Sequence, residues 1–127
     1  MASSLAKHRY YTLVATGGAM DSVAGVTNVL RSRALTEIGE FGFGRMGLQV
    51  RFFDVHTKVC IVRVTKASAR QFPGLAKNAA RIVATSGSMR CCKPKALRLL
   101  RDRHAQINKR DDRALERSEA AIRNMHN

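Results

Sequence analysis

Two runs of strand-like sequence, residues 48–54 and 59–65, flank a short turn at 55–58, and no other feature constrains the fold of this chain so tightly. In the first run Leu48, Val50 and Phe52 alternate with Gln49, Arg51 and Phe53, the period of a strand with two unlike faces. The second run is its natural partner in an antiparallel hairpin. Upstream, residues 10–15 are rich in aromatic and β-branched side chains and stop before Gly17-Gly18, which predicts a first strand. Val23, Val26, Leu30, Ala34 and Ile38 then recur every three or four residues, predicting a helix capped by Asp21 and ended by Gly39.

Downstream the signals are more broken. Residues 67–80 are weakly helical and interrupted by Pro73-Gly74. Residues 81–85 form a short strand candidate; Gly87 permits a bend, and 89–92 can continue the strand. Pro94 suits the first turn of a helix carrying Leu97, Leu100 and Ile107. After a break at 108–112, Leu115, Ser118, Ile122 and Met125 align on a last helix. The order β-α-β-β-α-β-α predicts an α/β sandwich of the split βαβ type, RRM-like or ferredoxin-like, with an antiparallel sheet and extra C-terminal helices. Residues 8–107 are expected to form the domain and 108–127 a helical extension.

Charge narrows the partner class. The 23 basic residues against nine acidic ones give a net charge of +14, so 14 cations stay unpaired even if every carboxylate finds a partner. Sixteen of the 23 are arginine, whose planar fork suits phosphate better than the point charge of lysine. Residues 1–60 carry seven basic and four acidic residues, and 61–127 carry sixteen and five. A polyanion, and nucleic acid first, is the expected partner. With 45% hydrophobic and 25% charged residues the chain is expected to fold rather than stay disordered. No run approaches the ~20 apolar residues of a membrane helix, and residues 1–11 lack the apolar core of a secretory signal.

Motifs for catalysis or cofactors are weak. Gly42-Phe43-Gly44-Arg45-Met46-Gly47 matches the dinucleotide pattern G-x-G-x-x-G, but a helix precedes it and a strand follows, the reverse of what pyrophosphate binding needs; a helix-to-strand loop is expected instead. Cys60, Cys91 and Cys92 are odd in number and wrongly spaced for zinc, which predicts small half-buried thiols in a reducing compartment. His8, His56, His104 and His126 are scattered, with no nucleophile or carboxylate pair beside them. The informative cluster is Arg90, Lys93, Lys95, Arg98, Arg101 and Arg103, with Asp102 the sole acid among them. Arg51 and Arg63 lie in apolar hairpin strands, where a charge is costly unless it meets an anion or a salt bridge to Asp54 or Glu40. Tyr10 and Phe53 either face away from the core or pack under a helix or partner.

Gly39-Glu40-Phe41-Gly42, then Val50-Arg51-Phe52-Phe53-Asp54, Thr57 and Ile61-Val62-Arg63-Val64, resemble the Pop-five/Rpp-fourteen family of ribonuclease P and ribonuclease MRP subunits. Arg9-Tyr10-Tyr11-Thr12-Leu13-Val14 is similar to that family's opening strand, and Ser86-Gly87-Ser88-Met89-Arg90-Cys91-Cys92-Lys93 to its late segment, with Ser88 in place of threonine. The aromatic-rich second helix of the family is reduced here to Arg70-Gln71-Phe72-Pro73-Gly74. The resemblance implies an RRM-like fold in a non-catalytic subunit held against a large catalytic RNA. That RNA matures the 5′ end of precursor tRNA, or processes precursor ribosomal RNA in the MRP particle. It implies an Rpp-fourteen-like paralogue and an Rpp-thirty-like barrel subunit as partners. No cofactor is expected on the protein, with Mg2+ at the RNA, and the location is the nucleus or nucleolus, or the cytoplasm of an archaeon.

The residues expected to contact RNA are Arg45, Arg51, Arg63, Arg90, Lys93, Lys95, Arg98, Arg101 and Arg103. A small basic ribosomal protein is the alternative, sharing size, arginine content and fold. A self-sufficient nuclease would need metal-binding carboxylates, and only Asp111-Asp112 are adjacent.

Overall fold

A computed structural model describes residues 7–107 and 112–126. Strand β1 (His8–Ala15) lies inside a four-stranded antiparallel sheet, paired on one side with β3 (Val59–Thr65) and on the other with β4 (Ala80–Ser86). Strand β2 (Gln49–Phe53) adds to β3 at the edge, giving the order β2-β3-β1-β4. This is the ferredoxin-like arrangement that the element order predicts.

Both faces of the sheet are covered. Helices α1 (Val23–Met46) and α2 (Phe72–Ala76) pack on one face, where Val26, Leu30, Ala34, Phe72 and Leu75 meet Tyr11, Leu13, Val62 and Val64. Tyr11 anchors this layer: its ring centroid lies 4.6 Å from that of Phe72, and its hydroxyl donates to the Ala69 carbonyl at 2.7 Å. Helices α3 (Met89–Gln106) and α4 (Asp112–Arg123) cover the other face, where Met89, Cys92, Ala96, Leu100 and Ile122 meet Tyr10, Phe52, Val59 and Ile61. Burial on two faces explains why the inner strands β1 and β3 read as almost continuous apolar runs, whereas the edge strand β4 alternates.

Several boundaries differ from those the sequence predicts. The first helix is capped by Ser22, whose hydroxyl accepts from the Gly25 amide at 2.9 Å, not by Asp21. Gly39 kinks the helix without ending it: at φ 74, ψ 177 it interrupts the helical path, which resumes and stops at Gly47 in the left-handed region. The G-x-G-x-x-G segment is therefore the last turns of α1 and not a loop. In β2 a bulge at Arg51 defeats the simple alternation: Val50 and Phe53 pack with the α1 layer, and Phe52 packs beneath α3 and α4. Residues 66–80 contain a 3-10 turn (Lys66–Ser68) and the five-residue α2. The last long helix starts at Met89 rather than Pro94, because the Ser88 hydroxyl caps it by accepting from the Cys91 amide at 3.2 Å. Residues 89–92 are accordingly helical, and Pro94 stands inside the helix. Most of the expected break at 108–112 lies outside the described residues.

Candidate nucleic-acid interface

Antiparallel topology sorts the charges. β1 begins at His8, β2 begins beside Arg63, β3 ends at Thr65, β4 ends at Ser86 and α3 begins at Met89, all at one end of the sheet. Helix α4 runs back along α3 and brings His126 to the same end. Lys7, Arg9, Arg51, Arg63, Arg90 and Lys93 therefore gather at a basic pole. The described carboxylates of the sheet, α3 and α4 sit toward the opposite, hairpin pole. Asp54 bonds Thr57 and Ser118, Glu119 pairs with Arg101, and Asp102 lies in the last turns of α3.

The expected RNA-contacting residues divide by what they do within the fold. Arg90 and Arg98 are exposed on α3 and form no hydrogen bond or ion pair with a described residue. Four of the others are tethers. Lys93 Nζ donates to the Arg123 carbonyl at 2.8 Å, holding the last turn of α4. Lys95 Nζ donates to the Thr85 carbonyl at 3.1 Å and the Ser86 hydroxyl at 3.2 Å, closing α3 on the end of β4. Arg101 pairs with Glu119 across α3 and α4, and Arg103 Nε donates to the Thr57 carbonyl at 2.6 Å. Arg45, on the α1 side, stacks its guanidinium 5.6 Å from the ring centroid of Phe41, which is 78% exposed.

Arg51 and Arg63 do not form the salt bridges to Asp54 or Glu40 that their apolar setting suggests. Arg51 donates to the His126 carbonyl at 2.5 Å. Arg63 stands directly opposite Tyr10 and Gln49, half-buried, and its buried Nε has no hydrogen-bond partner among the described residues. The potential here registers on His8. Burial lowers its pKa first, and the charges of Arg63, Lys7 and Arg51 lower it further. Tyr10 and Phe53 do not present free faces: Tyr10 is buried beneath α3, and Phe53 is half-buried against the α1 layer.

The sequence did not reveal that Arg51, Lys93, Lys95 and Arg103 bind carbonyls across the chain, because those partners lie ten to 75 residues away. Of the cysteines, Cys91 is exposed, whereas Cys60 and Cys92 are buried and their thiol pKa values are raised by desolvation, that of Cys60 to about 12. Among the described residues no group of three or more His, Cys, Asp or Glu gathers as a metal site, and no helix is long and apolar enough to cross a membrane. A model of the Rpp14/Pop5 family matches residues 9–97, from β1 into the first half of α3. No curated protein matches the chain.

Proposed function

This chain belongs to the Rpp14/Pop5 family of ribonuclease P protein subunits, and from that premise we propose that it is a non-catalytic RNA-binding subunit whose basic pole neutralises phosphates while the RNA performs the chemistry. The observation that carries this reading is the convergence of cations at one end of the sheet, away from the carboxylates of the hairpin pole. Arg90 and Arg98, uncommitted within the fold, supply outward contacts, and the α3 backbone beside Gly87 allows close approach. Its RNA is the ribonuclease P RNA acting on precursor tRNA, with the MRP RNA and precursor ribosomal RNA as a second setting. The Rpp-fourteen-like and Rpp-thirty-like subunits are its protein neighbours, Mg2+ belongs to the RNA, and the nucleus or an archaeal cytoplasm is its location.

Sequencing the RNA that co-purifies with the tagged chain tests this directly. One long RNA together with precursor-tRNA cleavage is expected. Sedimentation with ribosomes would transfer the chain to the ribosomal alternative, and cleavage by the purified protein alone would overturn the non-catalytic role.

A further inference from the structure

A groove adjoins the basic pole on the α1 side of the sheet. Helix α1 ends beside the last residue of β3, where the Thr65 hydroxyl donates to the Arg45 carbonyl at 3.0 Å. The 3-10 turn after β3 is tied to the residue before β1, since the Lys66 amide donates to the Lys7 carbonyl at 2.7 Å. Between the end of α1 and that turn lies the groove, with Ile38, Phe41, Gly42 and Arg45 on one side and Ser68 and Gln71 on the other. It therefore lies at the same end of the sheet as the gathered cations. Phe41 is the most exposed large apolar side chain among the described residues. Arg45, four residues on, stacks its guanidinium on that ring. No described carboxylate pairs with Arg45, and none lines the groove. On the opposite wall Gln71 is exposed, and its amide, a donor at one end and an acceptor at the other, bonds to no described residue.

We propose that the Phe41 ring is a stacking platform for one unpaired nucleobase of RNA, with the Arg45 guanidinium beside it and the Gln71 amide at the edge of the base. The proposal rests on the RNA-binding reading and goes further, because it assigns a contact to a base in place of a phosphate. The three groups have complementary uses. An open ring offers a π-face to any base, a planar cation strengthens the stack, and an amide meets either polarity of hydrogen bond on the base edge. Cations at the pole hold the backbone of the strand, and the groove at the same end of the sheet receives a base from it. An apolar side chain of a partner protein is the competing occupant. The unpaired cation on the ring and the overall charge of +14 favour the polyanion.

The test uses the full chain and two RNAs that share one hairpin and carry equal numbers of phosphates. One ends in an unpaired uridine tail, the other in an abasic tail. The parent is expected to bind the uridine tail about tenfold more tightly, within the roughly five- to 150-fold that a base stacked on an aromatic ring is worth. Phe41→Ala should bind both tails equally, at the parent's affinity for the abasic one. Its slope of log K against log salt and its melting temperature should match the parent's, because stacking releases no counterions and the ring is exposed. Phe41→Trp should keep the preference. A 5-iodouridine tail irradiated on the parent should cross-link to Phe41, which locates the contact even where Phe41→Ala is unstable. Cross-linking elsewhere, or a preference that survives Phe41→Ala, would overturn the platform. A parent that binds both tails equally, with ordinary salt dependence, overturns it too and leaves the RNA-binding reading standing. Should Phe41→Ala keep the parent's RNA affinity but lose other subunits of the particle, the occupant is a protein side chain and the proposal fails. A parent that shows no salt-dependent RNA binding removes both readings.

Discussion

The Ser118 hydroxyl donates to one Asp54 oxygen at 2.7 Å and so fastens the middle of α4 to the β2–β3 turn, 64 residues away. The other oxygen accepts from the Thr57 amide at 2.8 Å and the Thr57 hydroxyl at 2.5 Å. Burial by itself would raise the Asp54 pKa, but the bonds from Thr57 and Ser118, with a smaller contribution from His56, hold it below the ordinary value.

A depressed carboxylate contributes stability above its unfolded pKa and loses that contribution as pH falls through the folded one. Ser118→Ala should therefore cost about 1 kcal/mol near neutral pH. The gap between variant and parent should close as acid protonates Asp54. Thermal melts across an acid series check this, and a gap that stays constant with pH would contradict it.

Gly39 supports a sharper expectation about stability. At φ 74, ψ 177 it occupies backbone space that side chains disfavour, while nothing lies within 4 Å of where a Cβ would stand. Gly39→Ala should then cost about 1–3 kcal/mol through conformation alone, without a clash. Urea denaturation reads the shift in midpoint, and an unchanged midpoint would mean that the kink relaxes.

The three thiols should separate cleanly. Cys91 is exposed, whereas Cys60, pushed up to about 12 by burial, and Cys92 are enclosed. Ellman's reagent should modify Cys91 rapidly in the native protein and the other two only after denaturation. Fast native modification of Cys92, located by mass spectrometry, would show that the first turn of α3 opens readily.

Charge reversal at Arg90 and Arg98 together should leave the melting temperature unchanged, because neither side chain bonds to a described residue. RNA affinity should fall, with a salt slope shallower by roughly 1.5, two phosphate contacts' worth. Lys93→Glu should differ, lowering stability as well, since it also releases the Arg123 carbonyl. Melting curves run beside filter binding distinguish the two cases.

How far the sequence carried the fold depended on whether each signal was local. The hairpin, β1 and the α1 face were legible because alternation and helical spacing are written in neighbouring residues. The bulge at Arg51 was not, since an extra residue in one strand is defined only against its partner, here Val62 and Ile61. The start of α3 was misplaced because Pro94 is a conspicuous helix-start residue, whereas the Ser88 cap depends on a hydroxyl finding the Cys91 amide. The candidate site was legible as composition, a basic segment with few acids. Which cations face outward was not, because the acceptors for Lys95, Arg101 and Arg103 are brought in by β4, α4 and the hairpin turn.

The sorting of charge along the strands has a kinetic consequence. At the pole where α3 begins, the cations of the sheet, α3 and α4 meet no described carboxylate of those elements. At the hairpin pole Asp54, Asp102 and Glu119 offset part of the positive charge, so the net charge is displaced along β1. In the field of a polyanion such a body feels a torque as well as an attraction, and it turns before it touches. Encounters are thus biased to begin with the start of α3 leading and the β2–β3 turn trailing. Orientation is chosen during diffusion, and fewer collisions are spent on the wrong face.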